Sequence, residues 1–240
     1  MADAGVPVTA DDIAARIAQR AAGSPLIVGL TGSVAAGKST LCGALSAALA
    51  QRPLQVETVS TDGFLLPNDV LAARGLTLRK GFPESYDVDA LNAALAGVRT
   101  GPATFPTYSH VTYDVDPAAA RTLHAPDVLL VEGLALGVHD DAIDPAARMD
   151  ALIYLDADEA DLEAWFLARF MRLWRAAEHD PHSFYVRFRA LSETGAEAFA
   201  RDVWARINLV NLREHIAHAR ARATIVLRKD RDHALFLVRG

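Results

Sequence analysis

The 240-residue chain has a single cysteine, Cys42, so it can form no intrachain disulfide and carries no sign of an oxidising compartment. No apolar run approaches the roughly 18 residues that a membrane-spanning helix needs. The opening MADAGVPVTADD is acidic and has neither the basic nor the apolar region of a secretory signal. Basic residues are outnumbered: 24 Lys and Arg face 30 Asp and Glu, a formal net charge of −6. That balance argues against bulk electrostatic binding to nucleic acid or an anionic membrane, while leaving room for a locally basic pocket. Repeats, low-complexity tracts and linkers are also missing. A soluble cytoplasmic protein is the expected class.

Apolar residues make up 51% of the sequence, enough for a substantial core. The length suits one domain over 1–240, with 1–24 as a short N-terminal helix and lead-in. Thr9 and Asp12 have capping-box spacing and predict a helix to about Arg20, closed by Ala21-Ala22-Gly23. PLIVGL (25–30), LQVETVST (54–61), DVLLVEG (127–133) and DALIYLDAD (150–158) are expected strands. ATIVLRKD (223–230) and HALFLVRG (233–240) are expected to close the chain as a hairpin. Helices are expected over 39–50, 87–98, about 158–177 and about 194–219. This alternation predicts a doubly wound, mainly parallel α/β sheet, with ligands beyond the carboxyl ends of its strands.

GSVAAGKS (32–39) satisfies G-x-x-x-x-G-K-[ST], between a predicted strand and a predicted helix. The backbone of Gly32, Ser33, Val34, Ala35, Ala36 and Gly37, continuing through Thr40, would cradle phosphates. Lys38 would reach their outer oxygens and Ser39 would ligate Mg²⁺. Glu132, at the tip of an apolar strand, has the place of a second metal-side carboxylate; a solvated strand end is the alternative. Asp156 and Asp158 are expected to cap the following helix. On that helix Leu162, Trp165, Phe166, Phe170, Leu173 and Trp174 form one apolar arc, with Arg169 in its middle and Arg172 at its edge. Such an arginine needs an anionic partner, either a structural carboxylate or a transferred phosphoryl group.

No asparagine is followed by lysine, so the N-K-x-D pattern of guanine-reading switches is missing. A kinase would need a base near the γ-phosphate. Asp62 in VSTDGF (59–64) follows the second of these strands and has that position; an Asp-Gly turn without chemistry is the other reading.

Several longer stretches extend the pattern. GSVAAGKST, STDGFLLPNDVLAARGL, RKGFPESYDVDAL and PTYSHVTYDV, followed by LLVEGL, Arg169-Phe170, WARINLVNL and His233-Ala234, strongly resemble bacterial type I pantothenate kinases. The resemblance runs from about residue 25 to the C-terminus. It implies a P-loop kinase fold and ATP-dependent phosphorylation of the primary hydroxyl of pantothenate, with Mg²⁺ as cofactor, in coenzyme A biosynthesis. By position, Lys38 and Ser39 resemble the phosphate and metal ligands, Asp62 the base, Glu132 the metal-side carboxylate and Arg169 the γ-phosphate clamp. Tyr108, His110, Tyr113 and Asn208 match residues lining the pantothenate pocket, and His233 one flanking adenine. A homodimer is implied as well.

Three departures accompany the match. Only a short helix precedes the P-loop where the family carries a longer region. Gly43 stands where a basic residue helps bind coenzyme A, which weakens the expectation of that feedback ligand. Phe166 stands at a pocket tyrosine of the family, in a wall continued by Phe184, Tyr185 and Phe188. The alternatives are a nucleoside or sugar kinase with the same chemistry, and a nucleotide-binding regulator without it.

Overall fold

The computed structural model describes residues 5–21, 25–140 and 142–240. Its larger sheet has seven strands. β1 (Val6–Val8), β2 (Leu26–Gly32), β3 (Val56–Ser60), β6 (Val128–Glu132), β7 (Ala151–Asp156), β8 (Ile225–Lys229) and β9 (Leu235–Arg239) lie in the order β1-β9-β8-β7-β2-β6-β3. The run from β8 to β3 is parallel, and β9 and β1 add antiparallel strands at one edge. β2 is buried along its whole length and β7 along nearly all of it, which is why both read as unbroken apolar runs. The closing hairpin forms as the sequence indicates.

Helices cover both faces. α1 (Ala10–Ala18) begins at the expected capping box, in which the Thr9 hydroxyl accepts from the Asp12 amide and Asp12 accepts from the Thr9 amide. Of the predicted helix stop, Ala22 and Gly23 lie outside the described residues. α2 (Lys38–Leu49) follows the P-loop, and α4 (Val88–Gly97) is capped by Asp87. The short α3 (Asn68–Ala73) lies between them in sequence. α5 (Glu159–Ala176) is the long helix expected after β7.

The helix expected over 194–219 is instead broken into several pieces. α6 (Glu193–Val203) runs into a π-turn at Trp204–Asn208, then α7 (Leu209–Glu214), a 3-10 turn and α8 (Ala219–Arg222). Periodicity survives a π-turn, so composition alone does not reveal the extra residue.

A second sheet completes the fold, formed by the hairpin that is the lesser reading of residues 105–114 from sequence. β4 (Pro102–Ser109) and β5 (Asp114–His124) form an antiparallel hairpin whose register shifts between Phe105 and Thr107, around Pro106. A proline lacks the ladder N–H and fits such an irregularity. Buried Phe105 meets Phe64 edge to face at 6.1 Å and seats the hairpin against the 3-10 turn Thr61–Phe64.

Sheet register levels the site. Glu132 lies beside Leu30 on β2 and beside Ser60 on β3, so the strand ends carrying the P-loop, Glu132 and Asp62 emerge together.

Candidate active site

The P-loop backbone has the geometry of an anion cradle. Gly32, Ala35 and Gly37 have φ of 144°, 65° and 93°, and Gly37 precedes the first turn of α2. Glycine adopts such φ values at little cost, whereas Ala35 holds a left-handed conformation that a side chain rarely takes. The Ser33 hydroxyl is buried there with no hydrogen-bond partner among the described residues. Lys38 folds back to donate to the Ser33 carbonyl at 2.9 Å. Burial pulls its ammonium below the usual lysine range, against the opposing pull of Glu132 and Asp62, while Arg169 adds to the lowering. These four charged groups therefore share one electrostatic environment.

Beside the cradle, the Ser39 hydroxyl donates to Glu132 Oε1 at 3.1 Å. Two hard oxygen donors facing a phosphate site suit Mg²⁺, which keeps water and phosphate oxygens as its other ligands. Among the described residues no group of three or more His, Cys, Asp or Glu forms a metal cage.

Asp62 is half-buried in the 3-10 turn after β3, where Ser60 Oγ accepts from its amide at 3.2 Å. The buried Tyr86 hydroxyl donates to its Oδ1 across 3.4 Å, and burial, then Asp62, hold that phenol well above the usual tyrosine range. Tyr86 therefore stays protonated and occupies one carboxylate oxygen. The Asp-Gly pair is more than a turn, because a Cβ on Gly63 would strike the Pro106 carbonyl. The missing side chain lets the hairpin approach Asp62. Gly133, with φ 155°, similarly clears Thr61 beside Glu132.

The hairpin forms one wall. Tyr108 meets His110 at 5.2 Å and Tyr113 at 5.8 Å, both edge to face. Lys80 lies 4.9 Å from the Tyr108 ring and 5.0 Å from that of Tyr113, and donates to the Tyr113 carbonyl and to Asn68 Oδ1, each at 2.7 Å. Tyr113 has φ 58°, a conformation a bulky residue adopts only when its surroundings impose it. The bonds from Lys80 to its carbonyl and from Asn68 Nδ2 to the same oxygen, at 3.0 Å, supply that restraint.

α5 closes the opposite side, and here the structure corrects the sequence reading. Its buried residues are Leu162, Leu167, Phe170, Met171 and Trp174; Trp165 and Phe166 are half-buried, and Arg169 is exposed. Arg169 does not sit in an apolar core: it is exposed, and Trp165 and Phe166 on the preceding turn are only half-buried. The Phe166 ring lies on Trp204 at 5.7 Å and near Phe170 at 6.4 Å. Asn208 closes the π-turn that begins at Trp204 and is half-buried. Exposed His233, φ 67°, stands 4.9 Å from Trp165, whose ring also carries the Lys229 ammonium at 4.0 Å. A Cβ on Gly37 would meet that ammonium at 2.9 Å, which sets this cluster at the P-loop mouth.

Asp156 and Asp158 do not cap α5. Asp158 is at the N-cap position without a side-chain cap bond and accepts from Arg228 at 2.8 Å; Asp156 accepts from Arg220 at 2.9 Å. A guanidinium from the neighbouring strand or helix offers each carboxylate a charged donor, stronger than a backbone amide.

Comparison with known proteins fits this geometry. The phosphoribulokinase/uridine kinase family model matches residues 27–175. Proteins named pantothenate kinase from Mesorhizobium japonicum and Sorangium cellulosum are each 45% identical over 88% of this chain, covering 69% and 71% of their own lengths. One from Streptococcus pyogenes is 40% identical over 88% of the chain and 71% of its own.

The chain belongs to the pantothenate kinase family.

Two solved structures under 25% identical share the fold. A D-glycerate 3-kinase from Cryptococcus neoformans has a TM-score of 0.67 and 13% identity, covering 94% of this chain and 97% of its own. Phosphoribulokinase from Rhodobacter spheroides has a TM-score of 0.52 and 14% identity, covering 86% and 71%.

Around this kinase site the structure adds Lys80, Tyr86, Trp165 and Lys229 to the site residues proposed from sequence, which already placed Tyr185 in the aromatic wall. Lys80 and Tyr86 stand inside RKGFPESYD, a lysine and a tyrosine in a segment with little helical or strand pattern, and that was the available signal. Lys229 ends a parallel strand at the ligand side of the sheet. Trp165 carried no signal beyond its place on an apolar arc.

Proposed function

We propose that this protein transfers the γ-phosphoryl group of ATP to the primary hydroxyl of pantothenate, in the cytoplasm, as one catalytic unit that assembles as a homodimer. The carrying observation is the sheet register that brings the P-loop, Glu132 and Asp62 out at one edge, with the Ser39 hydroxyl bonded to Glu132. The relatives' names direct the acceptor assignment to pantothenate.

The buried Ser33 hydroxyl, unpartnered among the described residues, and the P-loop backbone fit an ATP triphosphate. Ser39 and Glu132 are the residues that would hold Mg²⁺, which when bound neutralises charge on the phosphate oxygens. Lys38 gives up the Ser33 carbonyl for a phosphate oxygen, a charge-assisted bond in a poorly solvated site. Arg169 supplies a second positive charge across the cleft. Tyr86 occupies Oδ1 of Asp62, so Oδ2 is the oxygen left to accept the acceptor hydroxyl proton as the new O–P bond forms. Tyr108, His110 and Tyr113 offer polar contacts to the acceptor, Asn208 and Phe166 flank it, and His233 with Trp165 borders the nucleotide base.

Gly43 leaves no basic side chain at that point of α2, so coenzyme A is expected to inhibit weakly. The deciding assay measures ADP release with pantothenate, uridine and simple sugars, with and without coenzyme A, and identifies the product by mass. Formation of 4′-phosphopantothenate is the expected result. ADP release with uridine or a sugar but not pantothenate would overturn the acceptor assignment.

A further inference from the structure

α5 carries Arg169, Arg172 and Arg175 at intervals of three residues. Arg175 is committed to an ion pair with Glu193. Among the described residues, the side chains of Arg169 and Arg172 make neither an ion pair nor a hydrogen bond. Both are exposed, yet both act on one half-buried phenol, that of Tyr185.

Tyr185 is held firmly. Its ring meets Phe170 edge to face at 5.3 Å, Phe184 at 5.7 Å and Phe188 at 6.2 Å. Phe184 is stacked on Tyr113 of the hairpin, centroids 4.0 Å apart and 23° between planes, and the Arg187 guanidinium lies 3.9 Å from the Phe184 centroid. The 3-10 turn Phe184–Phe188 is thereby pinned to the acceptor wall. Burial raises the Tyr185 phenol above its ordinary range, and Arg169 and Arg172 oppose the rise. Through Phe184, which touches both Tyr113 and Tyr185, the phenol belongs to the same wall as the hairpin tyrosines. Its hydroxyl has no hydrogen-bond partner among the described residues, and a half-buried phenol ordinarily finds one. On the α5 side, Phe166 offers only its ring.

We infer that Tyr185, backed by Arg172, reads the carboxylate of the acceptor at the end of the pocket remote from Asp62. The inference rests on the pantothenate reading, since pantothenate is an extended molecule with its reacting hydroxyl and its carboxylate at opposite ends. Asp62 and Glu132 repel an anion from the transfer end, and Arg172 attracts one to the other. Arg169 and Arg172 stand three residues apart on α5, and the inference gives Arg169 to the phosphate and Arg172 to the carboxylate.

The test is steady-state kinetics of Tyr185→Phe and Arg172→Gln with pantothenate and with pantothenol, in which a neutral alcohol replaces the carboxylate. A hydrogen bond to a charged group is worth roughly 10- to 100-fold in affinity. Tyr185→Phe is expected to raise KM for pantothenate by about that factor, with kcat changed less than about threefold and KM for ATP unmoved. KM for pantothenol should barely change, so the preference for the acid collapses. Arg172→Gln is expected to move in the same direction, less strongly and less still at high salt. This exposed position keeps the test decisive if Tyr185→Phe folds poorly, which its melting temperature and ATP binding would reveal. Unchanged discrimination, or an equal rise in KM for both acceptors, would refute the role of Tyr185 alone. Absence of pantothenate turnover in the wild-type enzyme would remove the acceptor reading beneath it.

Discussion

Replacing Asp62 with asparagine isolates the proton-accepting role from the architecture that holds it. The Ser60 hydroxyl bonds the backbone amide of residue 62, and the Tyr86 hydroxyl can donate to an amide oxygen as it does to Oδ1. The fold around the turn should therefore survive with little loss of stability. What changes is the second carboxylate oxygen, which becomes an NH₂ that donates and cannot take a proton. Loss of a positioned general base costs roughly 10²–10⁴ in turnover. At 1.36 kcal/mol per decade, that is about 3–5 kcal/mol of transition-state stabilisation. Nucleotide affinity should hold or rise slightly, because Asp62 is one of two carboxylates near Lys38 and its loss removes repulsion towards the triphosphate. Single-turnover formation of 4′-phosphopantothenate reads the chemical step, and calorimetric titration with ATP reads binding. Turnover within about tenfold of wild type would refute the assignment of Asp62 as the base. A fall in ATP affinity matching the fall in turnover would refute the separation of base from cradle.

Other perturbations test the scaffold. Gly63→Ala should push Pro106 and the hairpin away from Asp62; at about 1–3 kcal/mol of overpacking, the melting temperature drops by several degrees and acceptor KM rises. Gly43→Ala is the control of opposite sign: among the described residues its Cβ meets nothing within 4 Å, and inside α2 alanine should stabilise by about 0.5–1 kcal/mol and leave acceptor KM unchanged. Burial pushes the Cys42 thiol from 9.0 up to about 12, so native protein should resist alkylation at pH 8 and react once unfolded. Because the folded value is the higher, this stability is complete below about pH 9 and is lost as pH rises towards 12. A shift of that size is on the order of 4 kcal/mol, and urea midpoints across pH 8–11 should fall less in Cys42→Ala. Asp144 is 1% exposed and accepts from the amides of Gly137, His139 and Ala146 and from Arg222. Asp144→Asn should cost about 1–3 kcal/mol in urea denaturation, because the new Nδ2 donor faces an N–H that a carboxylate oxygen accepted, and unchanged stability would contradict the account.

How legible each feature was in the sequence depended on where its cause lay. β2, β6 and β7 are buried on both faces, so their apolar runs declare them, and the P-loop follows from residue types that a phosphate turn requires. Glu132 and Asp62 were readable as strand-end carboxylates because a parallel sheet carries its ligands at that edge. β1 was invisible: three residues pair with β9, more than two hundred positions away, and nothing local marks them. β4 and β5 were hidden by Pro102, Pro106 and Pro117, which suppress a strand pattern even though the hairpin tolerates them. Arg169 was misplaced because helical angle gives a direction without saying whether core or cleft lies there. Asp158 was misread for the opposite reason, since a good capping residue also attracts an arginine, and only the fold brings Arg228 beside it. Tyr185 belongs with these cases. Its importance comes from Phe184 stacking on Tyr113, a contact between distant segments. Local chemistry therefore located the phosphate end of this site, while the acceptor end is assembled by long-range contacts and needs the three-dimensional structure to be read.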